Sequence, residues 1–276
     1  MSRELEGWRR YVVVFAGMVL AAAVCCLAAR FWLSPRGSIG PTVLQAQTPA
    51  TAAAATVIFF ALATVLAAYV GRLVNAAVGL FILGAGLWAL RLRVGTIEEL
   101  AFSGGSLGLV ALETAAWGLL VLAATLVVFR FAGPLSDITP APAGEASDGL
   151  GLRGLAAAVL VLPAVWLIAR SDLKGQTLVA VVLGAMAAGL VGRLLAPHAQ
   201  PRLLFAAPCL FGALGHLVGM MVIKDGFADA FVAGAVPKIN LPMPIDYAAG
   251  SLMGVSMGLG WAKSFLHQEA TAPETP

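Results

Sequence analysis

Residues 52–90 form a single apolar run in which Arg72 and Asn75 are the only strongly polar side chains. At 1.5 Å per residue, one straight helix of that length would measure about 58 Å, roughly twice the ~30 Å hydrocarbon core of a bilayer. The run therefore reads as two membrane-spanning helices. Their turn is placed at residues 71–75, where Gly71 permits tight geometry and Arg72 reaches the headgroups. Similar runs recur from end to end. Of the 276 residues 60% are apolar and 11% charged, against about 25% charged in a soluble domain. Such a chain cannot cover itself with polar surface, and the solvent of its apolar faces is lipid.

Read in order, the spans fall at residues 11–29, two within 52–90, 106–129, 155–169, 176–195, 203–223 and 245–266. The first is longer than the apolar core of a signal peptide and reads as an anchor. Residues 34–51, with Pro35, Pro41 and Pro49, form a loop, and Arg91, Arg93, Glu98 and Glu99 mark another. Pro163 should kink the fifth span. The eighth is the least apolar, since it holds Asp246, Tyr247, Ser251, Ser256 and Lys263; an interfacial or re-entrant position is its alternative. The sequence thus predicts an all-α fold, a polytopic membrane helix bundle of about eight transmembrane helices. Residues 1–130 form an N-terminal four-helix half, 131–153 a linker and 154–276 a C-terminal four-helix half of one membrane domain.

An internal duplication is a further expectation. Residues 56–73 and 177–194 align without gaps and both close on Val-Gly-Arg-Leu. Gly105-Ser106-Leu107 precedes Trp117 much as Gly250-Ser251-Leu252 precedes Trp261. The matches keep their order, which suggests two four-helix repeats of the same orientation; biased composition is the competing explanation. Lys and Arg divide nine to eight between the two sides, so only Arg9 and Arg10, abutting the first span, favour both termini in the cytoplasm. The expected location is a cell membrane, of the bacterial cytoplasmic kind.

An ionisable side chain in the bilayer is costly unless it faces protein or water, which makes Glu113, His216 and Asp246 the candidates for an intramembrane polar path. Glu113 lies two turns inside the fourth span. His216 has no second His at helical spacing, so no metal site is read. Asp246 follows Pro242 and Pro244 and fits a helix-capping role. Arg72 and Arg193 end apolar helices and can snorkel. Small residues recur every four positions at Gly184, Ala188 and Gly192, at Gly215 and Gly219, and at Gly250, Gly254 and Gly258. Such faces let another backbone approach closely.

Several classes of chemistry are excluded. No basic cluster exceeds the Arg9-Arg10 pair, so nucleic acid is not a partner. Cys25, Cys26 and Cys209 all lie in apolar runs and make neither a disulfide framework nor a metal site. Glu98-Glu99-Leu-Ala-Phe resembles the start of the paired-glutamate motif of intramembrane proteases that cleave prenylated substrates. The Arg that should follow is absent, however, and His216 lacks its partner. No other catalytic motif is present, the sequence leaves any cofactor unknown, and an enzyme acting on lipid is the third choice. The leading expectation is a permease-like or channel-like protein for a small solute, ion or proton. The alternative is a non-catalytic membrane subunit or assembly scaffold. The expected partners are the lipid bilayer and other membrane subunits or further copies of the chain.

Overall fold

The computed structural model describes residues 7–138, 152–223 and 226–271, with side chains as far as Leu266. Each apolar run becomes a helix. In chain order these are α1 (Trp8–Ala28, tightening into a 3-10 turn that ends at Phe31), α2 (Pro49–Leu73), α3 (Ala76–Arg93), the short α4 (Ile97–Phe102) and α5 (Leu107–Ala132). The second half holds α6 (Leu152–Leu155), which passes through a 3-10 stretch (Ala156–Leu160) into α7 (Val161–Ile168), then α8 (Lys174–Leu195), α9 (Ala207–Val222), the short α10 (Phe227–Val232) and α11 (Pro244–Thr271). Five segments are long and apolar enough to cross a membrane: α1 through Phe31, α2, α3, α5 and α8. Leu152–Ile168 and α9 are apolar but shorter. The chain is a multi-span helical membrane protein. Most of the linker expected at 131–153 lies outside the described residues.

Local chemistry sets the boundaries. Pro49 and Pro208 stand in the first turns of α2 and α9, where a missing N–H breaks no helical bond. Asn75 caps α3, its side chain accepting from the Val78 N–H at 2.9 Å. Pro163 cannot donate to the Val159 carbonyl, and the 3-10 stretch lies immediately before that point. The α2–α3 turn sits at Val74 and Asn75, not at Gly71. Gly71 is helical and serves packing: a Cβ there would meet Val128 and Ala132 of α5.

Helix ends gather at two poles. At one, Gly95 donates to the Gly40 carbonyl, Thr96 to Asp172, the Lys174 ammonium to the Leu92 carbonyl, and Phe102 stacks edge-on against Phe231. We call this the capped pole. At the other, the terminal pole, the Gln200 side chain exchanges hydrogen bonds with the Leu135 backbone and the Arg193 guanidinium donates to the carbonyls of Pro197 and Asp137. Arg193 is buried by these loops and does not snorkel, whereas Arg72 is exposed. Between the poles, Phe15, Val65 and Leu119 are about two-thirds exposed, as lipid-facing side chains should be. Trp8, Tyr11, Tyr69 and Trp261 lie towards the terminal pole and are exposed, the placing expected of aromatic side chains at headgroup level.

The eighth segment is one continuous and enclosed helix. It is α11, 28 residues long, and from Leu241 to Ser256 every residue is buried, walled by α8, α3, α5 and α9. Its polarity is matched from those walls. The Ser256 hydroxyl bonds to the Ala77 carbonyl of α3 at 2.9 Å, Ser251 meets the Cys209 thiol of α9 at 3.4 Å, and Tyr247 donates to the Ile239 carbonyl at 3.2 Å. Gly105-Ser106-Leu107 opens α5, whereas Gly250-Ser251-Leu252 lies two turns inside α11, so the two triplets occupy different helical positions.

Among the described residues the most extensive helix contact is that of α8 with α11. A Cβ at Gly250 would strike Val181, one at Gly254 the Val182 carbonyl, and one at Gly258 the Met186 carbonyl. From α8 it is Ala185 and Gly189 that meet α11; Gly184 instead faces Val161 and Ala164 of α7, and Gly192 faces Gly154 and Leu204. Ala188 is fully buried in α8, Gly215 lies against Leu162, and Gly219 against the Asn240 side chain. Replacing Gly254 by Leu should destabilise the bundle by about 1–3 kcal/mol, read as a lower unfolding temperature in detergent. Gly260, exposed and with open space around it, should accept Leu without loss.

Candidate functional site

Three polar centres lie inside the bundle, and each is assembled from different elements. The first is at Glu113, in the second turn of α5 and 3% exposed. Its carboxylate oxygens accept from the backbone N–H groups of Val43, at 3.0 Å, and Leu44, at 2.9 Å. These belong to residues 32–48, a non-helical strap that connects α1 to α2 across the capped pole. The strap is pinned further by Ser38 to Glu99, Arg36 to the Phe102 carbonyl and Gln45 to Ser106. Trp32, fully buried at its start, donates its indole N–H to the Thr56 hydroxyl at 2.7 Å. Irregular backbone at membrane depth needs partners for its N–H groups, and Glu113 supplies two. Beside it, a crevice of ≈ 370 Å³ opens between α2 and α5, walled by Ala53, Val57, Leu119 and Leu120, with Glu113 the one charged residue in its lining.

The second centre joins Arg91 to Asp246. Arg91 closes α3, and both side chains are fully buried, Nε to Oδ1 2.6 Å. The Arg91 Nη1 donates to the Gly95 carbonyl at 2.8 Å, while Nη2 has no partner. The second Asp246 oxygen accepts from the Met243 N–H at 2.7 Å. Asp246 therefore does cap its helix, reaching back from the first turn to the residue before it. It also neutralises a guanidinium that sequence reading assigned to a loop. A signal for this existed: Leu80, Leu83, Leu87 and Arg91 repeat at helical spacing and form one buried stripe of α3.

The third centre is His216 of α9. The ring is fully buried, its Nδ1 lies 3.4 Å from the Asn240 amide nitrogen, and it meets Tyr247 edge-on with centroids 5.8 Å apart. Asn240 also donates to the Gly215 carbonyl at 3.2 Å, which fits the contact of Gly219 with that amide. Neither the His216 Nε2 nor the Asn240 Oδ1 has a partner.

The structure thus places Glu113, His216 and Asp246 in separate settings. Among the described residues no hydrogen bond or ion pair joins any two of them. His216 and Asp246 share a neighbourhood through Tyr247, which follows Asp246 on α11; Glu113 belongs to the strap. Among the described residues no group of three or more His, Cys, Asp or Glu side chains could hold a metal ion. Comparison with protein-family models, with curated proteins and with solved structures finds no match to this chain.

Two outcomes follow from this geometry. Glu113→Ala strands the Val43 and Leu44 N–H groups, so hydrogen exchange at those two amides should accelerate by about tenfold or more; unchanged exchange would mean the strap is held without the carboxylate. Asp246→Ala or Arg91→Ala alone leaves a bare buried charge and should cost about 3–5 kcal/mol of stability, whereas the double variant R91M/D246L should cost clearly less. Thermal unfolding of the three proteins in one detergent decides this.

Proposed function

We propose that the chain crosses the bilayer eight times and is a permease-like protein for an ion, a proton or a small charged solute, with Arg91 and Asp246 at its centre. The observation that carries this reading is the placement of a fully buried ion pair on the most enclosed helix. Packing alone does not require such a pair, because well-fitted apolar residues of similar volume hold a core at least as well. Ionisable residues retained inside a membrane bundle mark ion or solute pathways.

The alternation of helix ends between the two poles supports eight crossings, the shorter Leu152–Ile168 and α9 included. The start of α1 and the end of α11 then share the terminal pole, and Arg9 with Arg10 favour the cytoplasm for that pole. A route along the α3–α11 contact suits the chemistry. It begins at a groove on the terminal pole lined by Asn75, Ala77 and Ser256 and ends at Arg91 and Asp246. From Ala77 to Arg91 is about 21 Å of helix. Leu80, Leu83 and Leu87, each fully buried, close the way between, so the state described is occluded.

Gly84 of α3 lies directly beneath Leu252 and Met253. This smooth contact lets α11 and α8 slide together against α3, the small shear by which packed helices open. The strap over the capped pole would then be the exit gate, with Glu113 as its latch. The scaffold alternative draws on the glycine faces as surfaces for other subunits; here Gly250, Gly254 and Gly258 are covered by α8.

The reading is tested in proteoliposomes by imposing gradients of protons, Na⁺, K⁺ and chloride in turn. The wild-type protein should dissipate at least one faster than empty liposomes, and Asp246→Asn should return that rate to the empty-liposome value. No flux above empty liposomes for any of the four would overturn it. Topology has its own readout: single cysteines introduced at Ser103 and Ser171 should react from one side of the membrane, and one introduced at His198 from the other.

A further inference from the structure

We propose that the groove at the terminal pole binds the headgroup of an anionic phospholipid. The groove measures ≈ 410 Å³ and is bounded by the first turn of α1, the α2–α3 turn with the start of α3, the segment after α5 and residues 256–263 of α11. Two cations stand on its rim, Arg10 and Lys263. Asn75 adds a donor: its amide oxygen accepts from Val78 at 2.9 Å, which leaves the amide NH₂ for a ligand. One acidic residue, Asp137, shares the rim, and the Arg193 guanidinium is held beside it by a 3.0 Å bond to the Asp137 carbonyl. Among the described residues of the rim, cations therefore outnumber carboxylates.

The floor selects a lipid over a free anion. Phe81 and Leu259 make it apolar, a surface that inorganic phosphate cannot use but that the glycerol and first methylenes of a phospholipid can cover. Depth agrees. Arg10 lies in the first turn of α1 beside Trp8, and Lys263 stands on α11 two residues beyond Trp261; exposed aromatic side chains of this kind mark the headgroup level. Basic pockets between transmembrane helices bind anionic headgroups on the same physical grounds. The crevice near the capped pole makes the contrast, since its lining holds no cation.

The test is native mass spectrometry of the full chain in detergent, offered phosphatidylglycerol and phosphatidylcholine in equal amounts. The wild-type protein should retain phosphatidylglycerol preferentially, and the R10Q/K263Q variant should bind it roughly thirtyfold more weakly. R72Q, exposed at the same pole but outside the groove, should bind as wild type does. Arg10 and Lys263 are both exposed, and an unchanged unfolding temperature will show that the double variant is folded. The proposal is overturned by equal retention of the two lipids, by undiminished binding in R10Q/K263Q, or by an equal loss in R72Q, which would mean diffuse charge. Displacement of the lipid by millimolar inorganic phosphate would also overturn it, pointing to a free-anion site.

Discussion

Hydrocarbon offers no hydrogen bonds, and the arrangement of this bundle follows from that. The helix with the most polar side chains must be the one with the most protein around it, because only neighbouring helices can satisfy Asp246, Tyr247, Ser251 and Ser256. α11 accordingly occupies the centre, with its partners supplied by α3, α9 and the segment before it. Enclosure on that scale needs close approach, which the glycines provide where α11 meets α8. The peripheral helix shows the converse. α1 buries only a narrow line of small residues, Gly17, Ala21, Cys25 and Ala28, and turns large apolar side chains outward.

Hydropathy alone made most of the helices legible. The eight runs became helices because length and apolarity are nearly sufficient conditions for helix in a bilayer. What escaped was set by tertiary contact. The short α4 and α10 have no membrane-length signal, and they are placed by contacts such as Phe102 with Phe231. Gly71 suggested a turn because glycine is ambiguous between turning and packing, and only the presence of α5 decides the matter. The low apolarity of 245–266 left an interfacial or re-entrant position open beside the eighth span, since composition reports polarity without saying whether protein or water answers it. Arg193 and Arg72 end matching motifs, yet one is enclosed by loops and the other exposed.

The polar centres were half legible. Glu113, His216 and Asp246 were conspicuous as charges or rings in apolar context, and all three are buried. Their partners were not, because they come from far away in the chain: Arg91 is 155 residues from Asp246, and the strap amides are 69 and 70 residues from Glu113. Glu113 shows how a lone intramembrane carboxylate can have a structural task. Two backbone N–H groups of a non-helical segment would otherwise be stranded in an apolar layer, and an acceptor with two oxygens meets both. That leaves Arg91 and Asp246 as the charges whose burial local packing explains least.

The two poles differ in a way that bears on direction. At the capped pole the strap, α4 and the loop before α8 are laced together over the ion pair by hydrogen bonds from Arg36, Ser38, Thr96 and Lys174. At the terminal pole the α3–α11 seam lies open in a groove that reaches Ser256. A bundle closed at one end and accessible at the other has an inherent polarity, and the buried charges sit next to the closed end. The capped end is held by hydrogen bonds, those of Glu113 to the Val43 and Leu44 amides among them, whereas the α3–α11 seam on the terminal side is held by the Leu80, Leu83 and Leu87 side chains together with the Ser256–Ala77 hydrogen bond. The end nearer the buried charges is thus held mainly by hydrogen bonds between loops, and the other mainly by apolar packing between helices.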